Sequence, residues 1–288
     1  MPDAEAHKNR NLLKGARAYL SGPMDFVACR SHEKTHGWRN RTRQFLNHYG
    51  VTVFNPWYKP AVRGLGVYGE EDPRNSELKA LWTFASGPDG ARARAQVAEE
   101  YSETVHIDLR MVDISDFIVA YCPTHIYSVG TPHEIIVATQ QHKPVLFVSP
   151  PVEFPALERL RRRADGDPAL GELLEQLRRE VPIHENPRGI PSLWYAPIVG
   201  SENFVDGFGF HLYQEVFGWE ADEPMRREID RPPLRPLLPF LERLAQGHYP
   251  RRWDPRTETF RQDKDWLLLE DALEQGRSEG QPGRVKTD

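Results

Sequence analysis

The sequence predicts a doubly wound α/β domain over residues 15–150, on three observations. Short apolar stretches recur at R-A-Y-L-S (17–21), V-T-V-F-N-P (51–56), D-F-I-V-A-Y (116–121) and K-P-V-L-F-V-S (143–149). Segments with helical spacing separate them. The last two stretches are apolar on both faces, as strands of a covered parallel sheet are. A sheet of about five parallel strands follows, with its ligand expected at the carboxyl ends of the strands.

Taken in order, residues 17–21 read as the first strand, closed by the turn pair Gly22-Pro23. Residues 24–37 read as a polar loop. In the next segment Trp38, Thr42, Phe45, Leu46 and Tyr49 approximate helical spacing, and Gly50 supplies the stop. The second strand, at 51–56, halts at Pro56. Residues 57–90 hold many glycines, prolines and aromatics and read as a long functional loop or insertion. A helix is expected from Arg92 to Met111, with Val97, Tyr101, Val105 and Val112 marking its buried face. Another spans 131–142, between the third and fourth strands.

Beyond Pro150, residues 155–181 read as helical, with R-L-R-R-R at 159–163 a solvated face. The aromatic, glycine-rich segment 190–210 reads as a pocket lid or subunit contact, or else as a strand and turn packed on the core. Residues 151–275 thus form a partly helical or irregular C-terminal extension, packed on the domain or on a second subunit, and 276–288 are polar enough for a disordered tail.

A chain of 288 residues can bury a sizeable core. Its formal net charge of −5, with acids and bases interspersed, offers no field that would draw a nucleic acid. No apolar run approaches the roughly 20 residues of a membrane span. The two cysteines, Cys29 and Cys122, lack metal spacing, and nothing at the N-terminus resembles a signal peptide. A cytoplasmic protein is expected.

His32, Glu33 and His36 spell H-E-x-x-H, the pattern of zinc metalloproteases. That chemistry needs a helix carrying both imidazoles on one face. Gly37 follows at once and no apolar stripe precedes, so the expectation is a histidine-bearing loop with no metal.

A stronger constellation is S-V-G-T-P-H-E-I-I-V-A at 128–138. Thr131 as N-cap, Pro132 at N1 and Glu134 at N3 make a capping box. The same geometry also places the Glu134 carboxylate at the crevice where ligands bind, with helix-end N–H groups to keep it ionised as a nucleophile requires. Both readings stand on the sequence. Asp108 falls on the buried face of the helix before the third strand, where a charge is costly unless paired or used. An arginine of the 39–43 cluster is the structural partner it would take. Asp113 and Asp116 read more simply as turn acids.

Several of these motifs together resemble the nucleoside 2-deoxyribosyltransferase family, which includes related deoxynucleotide N-hydrolases. They are Tyr19-Leu20-Ser21-Gly22-Pro23-Met24, Phe54-Asn55-Pro56, Asp108 with Asp116, and Gly130-Thr131-Pro132-His133-Glu134 followed by Lys143-Pro144-Val145. The resemblance implies a flavodoxin-like fold and cleavage of an N-glycosidic bond. It implies Glu134 as nucleophile at C1′, Tyr19 as its hydrogen-bonding orienter, and Asp108 as the group acting on the base. Ser21, Gly22, Pro23, Met24, Asn55, Asp116, Ser128 and Gly130 would bind substrate. The implied partner is a small nucleoside or nucleotide, without cofactor or metal, and a homo-oligomer is expected. Ser128 stands where the transferases carry an acid and the hydrolases do not, Pro132 stands where a glycine is frequent, and Asp25 stands where the hydrolases have an arginine for a 5′-phosphate.

Overall fold

The alternation of R-A-Y-L-S decides how the molecule is layered. Ala18 and Leu20 of strand β1 (Arg17–Ser21) belong to one buried cluster, and Tyr19 belongs to another on the opposite face. A strand's period of two requires this division. The same split recurs in β3 (Phe117–Tyr121) and β4 (Val145–Val148), where Phe117, Val119, Leu146 and Val148 face one side and Ile118, Ala120, Val145 and Phe147 the other.

The structure, a computed structural model, describes residues 11–27, 29–58, 77–181, 185–187, 189–199, 204–206, 237–254 and 256–279. Between these strands lie helices α1 (Arg30–His36), α2 (Trp38–His48), α3 (Gly87–Ile114) and α4 (Gly130–Gln140), with β2 (Thr52–Phe54) after α2. Downstream come α5 (Pro155–Ala164), α6 (Pro168–Glu180), α7 (Ala196–Val199), β5 (Phe204–Asp206) and α8 (Leu237–Ala245). The antiparallel pair β6 (Arg251–Asp254) and β7 (Thr259–Gln262) and helix α9 (Lys264–Glu279) close the chain.

Strands β2, β1, β3 and β4 lie side by side in that order, all parallel. The short β5 adds to the β4 edge, with a register shift between Phe147 and Val148. The chain steps from β1 to β2 in one direction and then crosses back to β3. Helices therefore cover both faces. Trp38 and Leu46 of α2, Leu241 of α8 and Trp266 of α9 pack on the first face, whereas Met111 and Val112 of α3 and Ile135 and Ala138 of α4 pack on the second. The C-terminal helices are thus part of the same core as the first strand. Truncating any one of these large buried side chains to alanine costs roughly 2–5 kcal/mol.

Several sequence expectations change. Residues 24–37 are not a loop throughout, because α1 occupies 30–36. Helix α3 outruns 92–111 at both ends, starting at Gly87 with Pro88 in its first turn, where a missing N–H costs nothing. The helix expected over 155–181 is two, because Asp167 accepts from the N–H groups of Ala169 and Leu170 and starts α6 afresh before Pro168. Within 190–210, residues 193–195 form a 3-10 turn leading into α7. Helix α9 runs to Glu279, into the stretch read as a tail, since adding a residue to a formed helix is far easier than starting one. Residues 59–76 of the expected insertion, 207–236 and the last residues, 280–288, lie outside those described. No helix among the described residues is long and apolar enough to cross a membrane.

At the amino edge of the sheet, Asp116 holds Arg17 in a fork, with Oδ1 accepting from Nη2 at 2.8 Å and Oδ2 from the Arg17 backbone N–H at 2.7 Å. This pins the start of β1 to the start of β3. Lys143, just before β4, donates to the carbonyls of Val112 and Asp113 at 2.6 and 2.5 Å and so caps the end of α3. Asp116→Ala should therefore lower stability by about 1–3 kcal/mol, read by urea unfolding.

Candidate functional site

Tyr19 and Ser21 sit two residues apart on β1, so both point at the face that α4 covers. Glu134 of α4 comes to meet them. The Tyr19 hydroxyl donates to Glu134 Oε1 at 2.8 Å, and the Ser21 hydroxyl donates to Oε2. Glu134 is 7% exposed. The expected capping box does not form. Helix α4 begins at Gly130 with Val129 as its N-cap, so Glu134 falls beyond N3, and the Thr131 hydroxyl pairs instead with that of Ser128 at 2.9 Å. Two hydroxyl donors from the neighbouring strand satisfy a carboxylate better than one N-cap N–H.

Around Glu134 opens a cavity of about 240 Å³ at the carboxyl ends of β1, β2 and β3. This is just under the roughly 300–1,000 Å³ usual for drug-sized ligands, so it suits a small molecule. Asp108 enters from α3, and Gly22, Met24, Ser128 and Gly130 complete the wall. Phe26 and Tyr127, 61% and 68% exposed, meet edge-to-face with ring centroids 5.7 Å apart at the mouth. Tyr101 of α3 joins them rather than the core, at 38% exposure. Burial, then the negative charges of Asp108 and Glu134, hold the Tyr19 phenol far above its ordinary pKa. It stays a neutral donor.

Beneath the turn after β1 lies Arg39 of α2, 1% exposed. Its Nε, Nη1 and Nη2 donate to the carbonyls of Leu20, Pro23 and Gly22 at 3.1, 3.2 and 2.6 Å. The guanidinium carbon stands 4.9 Å from the ring centroid of Trp38, which itself stacks on Tyr121 at 4.8 Å. From the sequence, Arg39 is only one of the 39–43 cluster that offers Asp108 a partner. Its spacing with Thr42 and Leu46, on one helical stripe, was the available sign of burial.

Of the other residues assigned to substrate, Pro23 contributes its carbonyl to Arg39. Asn55 is buried and uses Oδ1 to accept from the Trp57 N–H at 3.0 Å, so it shapes the turn after β2. Asp116 is not at the pocket, because its fork with Arg17 fixes it at the opposite edge of the sheet. Asp25 does line the cavity, and pairs with Lys79 Nζ at 2.9 Å and Arg30 at 3.7 Å. A second, larger cavity, about 440 Å³, shares Ser128 and Thr131 and holds Cys122, His125 and Tyr195. Burial raises the Cys122 thiol pKa and lowers that of His125, so both stay neutral.

H-E-K-T-H needs a correction too. Residues 30–36 are helical, and the His32 and His36 rings stack at 5.4 Å. The helix lasts two turns because Gly37 ends it and α2 takes over. Among the described residues no group of three or more His, Cys, Asp or Glu is placed to hold a metal ion.

No protein-family model matches the chain, and no curated protein matches it.

Gly22 explains how the turn and Arg39 approach so closely. A Cβ there would lie 2.9 Å from Trp38 Cζ2, 3.1 Å from Arg39 Nη2 and 3.2 Å from the Tyr121 carbonyl. Gly22→Ala should cost about 1–3 kcal/mol by overpacking, and thermal unfolding reads it. A variant as stable as wild type would show that the turn shifts freely.

Proposed function

We propose that the protein cleaves the N-glycosidic bond of a small nucleoside through a glycosyl-enzyme on Glu134, and passes the sugar to a second base. The observation that carries this reading is the buried carboxylate of Glu134, oriented by two hydroxyls on the floor of a small pocket, with a second carboxylate, Asp108, in its wall. Displacement at an anomeric carbon needs one carboxylate to attack and one acid to serve the leaving group. The strand order β2-β1-β3-β4 with β5 at the edge supports a flavodoxin-like arrangement, whose ligands bind at this switch point.

In the first step a Glu134 carboxylate oxygen attacks C1′. The C1′–N bond breaks, its electron pair leaves with the base, and Asp108 supplies the proton that neutralises the base. Tyr19 and Ser21 keep the carboxylate aimed while the ester forms. In the second step an incoming base attacks C1′, gives its proton to Asp108 and releases Glu134 as carboxylate. The aromatic mouth of Phe26, Tyr127 and Tyr101 offers faces on which a planar base stacks. Asp25, with both neighbouring cations already paired to it, favours an uncharged 5′ end.

Hydrolysis is the second reading, and Ser128 favours it: the pocket wall there carries a hydroxyl rather than an acid to engage an acceptor base. Water then attacks the same intermediate. Incubation with a panel of nucleosides and nucleotides, with and without free base, separates transfer from hydrolysis, and no release at all would leave a binding module.

Glu134→Gln keeps the shape but loses the nucleophile. Base release should fall on the order of a thousandfold or more. Stability should change by no more than about 1–3 kcal/mol, because one amide half must turn its N–H groups toward a hydroxyl. If the variant melts near wild type and still releases base at the wild-type rate, Glu134 is not the nucleophile.

A further inference from the structure

Full burial of an arginine is costly unless its charge is paired, and apolar residues of the same volume are often the more stable choice. Arg39 is nonetheless buried, with Trp38 on one side and the turn after β1 on the other. Each of its three nitrogens donates to a main-chain carbonyl, and those carbonyls belong to Leu20, Gly22 and Pro23. The bonded residues bracket Ser21, which holds Glu134, and precede Met24 in the pocket wall. Arg39 itself does not line the cavity.

We infer that Arg39 is the positioning residue of this site, tying the turn after β1 into one shape and supplying a buried positive charge close to the pocket. Its place in a reaction rests on the glycosidic reading above, whereas its hold on the turn and on Glu134 stands without it. The charged and titratable groups that face Arg39 are Tyr19 of β1, Glu33 of α1, Asp108 of α3 and Glu134 of α4. Cys122, just past β3, also faces Glu134. A buried cation favours the ionised form of a carboxylate that it faces. Glu134, whose two oxygens accept from the two hydroxyls, is the carboxylate that this charge serves.

Two variants of the full chain separate charge from shape. Arg39→Met removes both, while Arg39→Lys keeps the charge and loses the fork. The first measurement needs no substrate: carbodiimide labelling of Glu134 against pH, followed by mass spectrometry of its peptide. The second is base release, as kcat and KM against pH. Arg39→Met should move the labelling midpoint upward by on the order of one pH unit and shift the acid limb of kcat with it. Arg39→Lys should leave the midpoint near wild type but lower kcat by roughly tenfold, with KM little changed, since one misplaced group is enough for that loss. An unmoved midpoint in Arg39→Met overturns the charge role, and wild-type kcat in Arg39→Lys overturns the positioning role. Should Arg39→Met fail to fold, Arg39→Gln, which also removes the charge, takes its place in the labelling, and Arg39→Lys still decides the positioning role. Wild-type protein that releases no base, yet whose labelling midpoint moves in Arg39→Met, would sink the glycosidic reading and leave Arg39 as the site's cation.

Discussion

The contact on which the site depends is the one between the Glu134 carboxylate and the hydroxyls of Tyr19 and Ser21, made across 115 and 113 residues of chain. A carboxylate so nearly enclosed is tolerable only when its oxygens are satisfied. Meeting that requirement from β1 sets the position of α4 against the sheet, with Ile135 and Ala138 seated on the same face as Tyr19. It also takes Glu134 out of any role in starting its own helix. The cavity exists because β1 and α4 are held at this separation at their ligand-facing ends.

Below that contact the charges are arranged in a stack. The guanidinium of Arg39 lies under the turn, the turn carries Ser21 and Gly22, and the carboxylates stand above. Gly22 has no side chain because three groups converge where one would go. Trp38 and Tyr121 close the stack laterally, so the cation meets aromatic faces and carbonyls rather than water. The turn's carbonyls and the carboxylate's oxygens are thus held by groups of the protein itself.

Three aspartates show how position gives one residue type different work. Asp116 caps the amino edge of the sheet with Arg17 and is structural. Asp25 pairs with Lys79 and Arg30 in the cavity wall. Asp108, on α3, lines the same cavity as Glu134. Their sequence neighbourhoods set Asp116 apart as a turn acid and Asp108 as a charge on a buried helix face, but do not show that Asp25 meets two cations.

The apolar runs at 117–121 and 145–148, alternating with helical periods, by themselves pointed to a parallel sheet, because strands covered on both faces are what helical crossovers produce. The two-residue spacing of Tyr19 and Ser21 likewise determined that both would share a face. Local pattern could not decide what lay opposite. The sequence is equally consistent with Glu134 closing a capping box and with Glu134 reaching a strand, and only the packing of α4 on β1 chose between them. The short helix at 30–36 was hidden because it buries nothing and so carries no apolar stripe, its neighbours α2 and the turn holding it instead. Arg39 was hidden for the opposite reason, since a charged residue reads as surface until the fold wraps carbonyls, aromatic rings and carboxylates around it. Such long-range contacts are set by how whole elements dock, which is a property of the three-dimensional chain and not of any window of its residues.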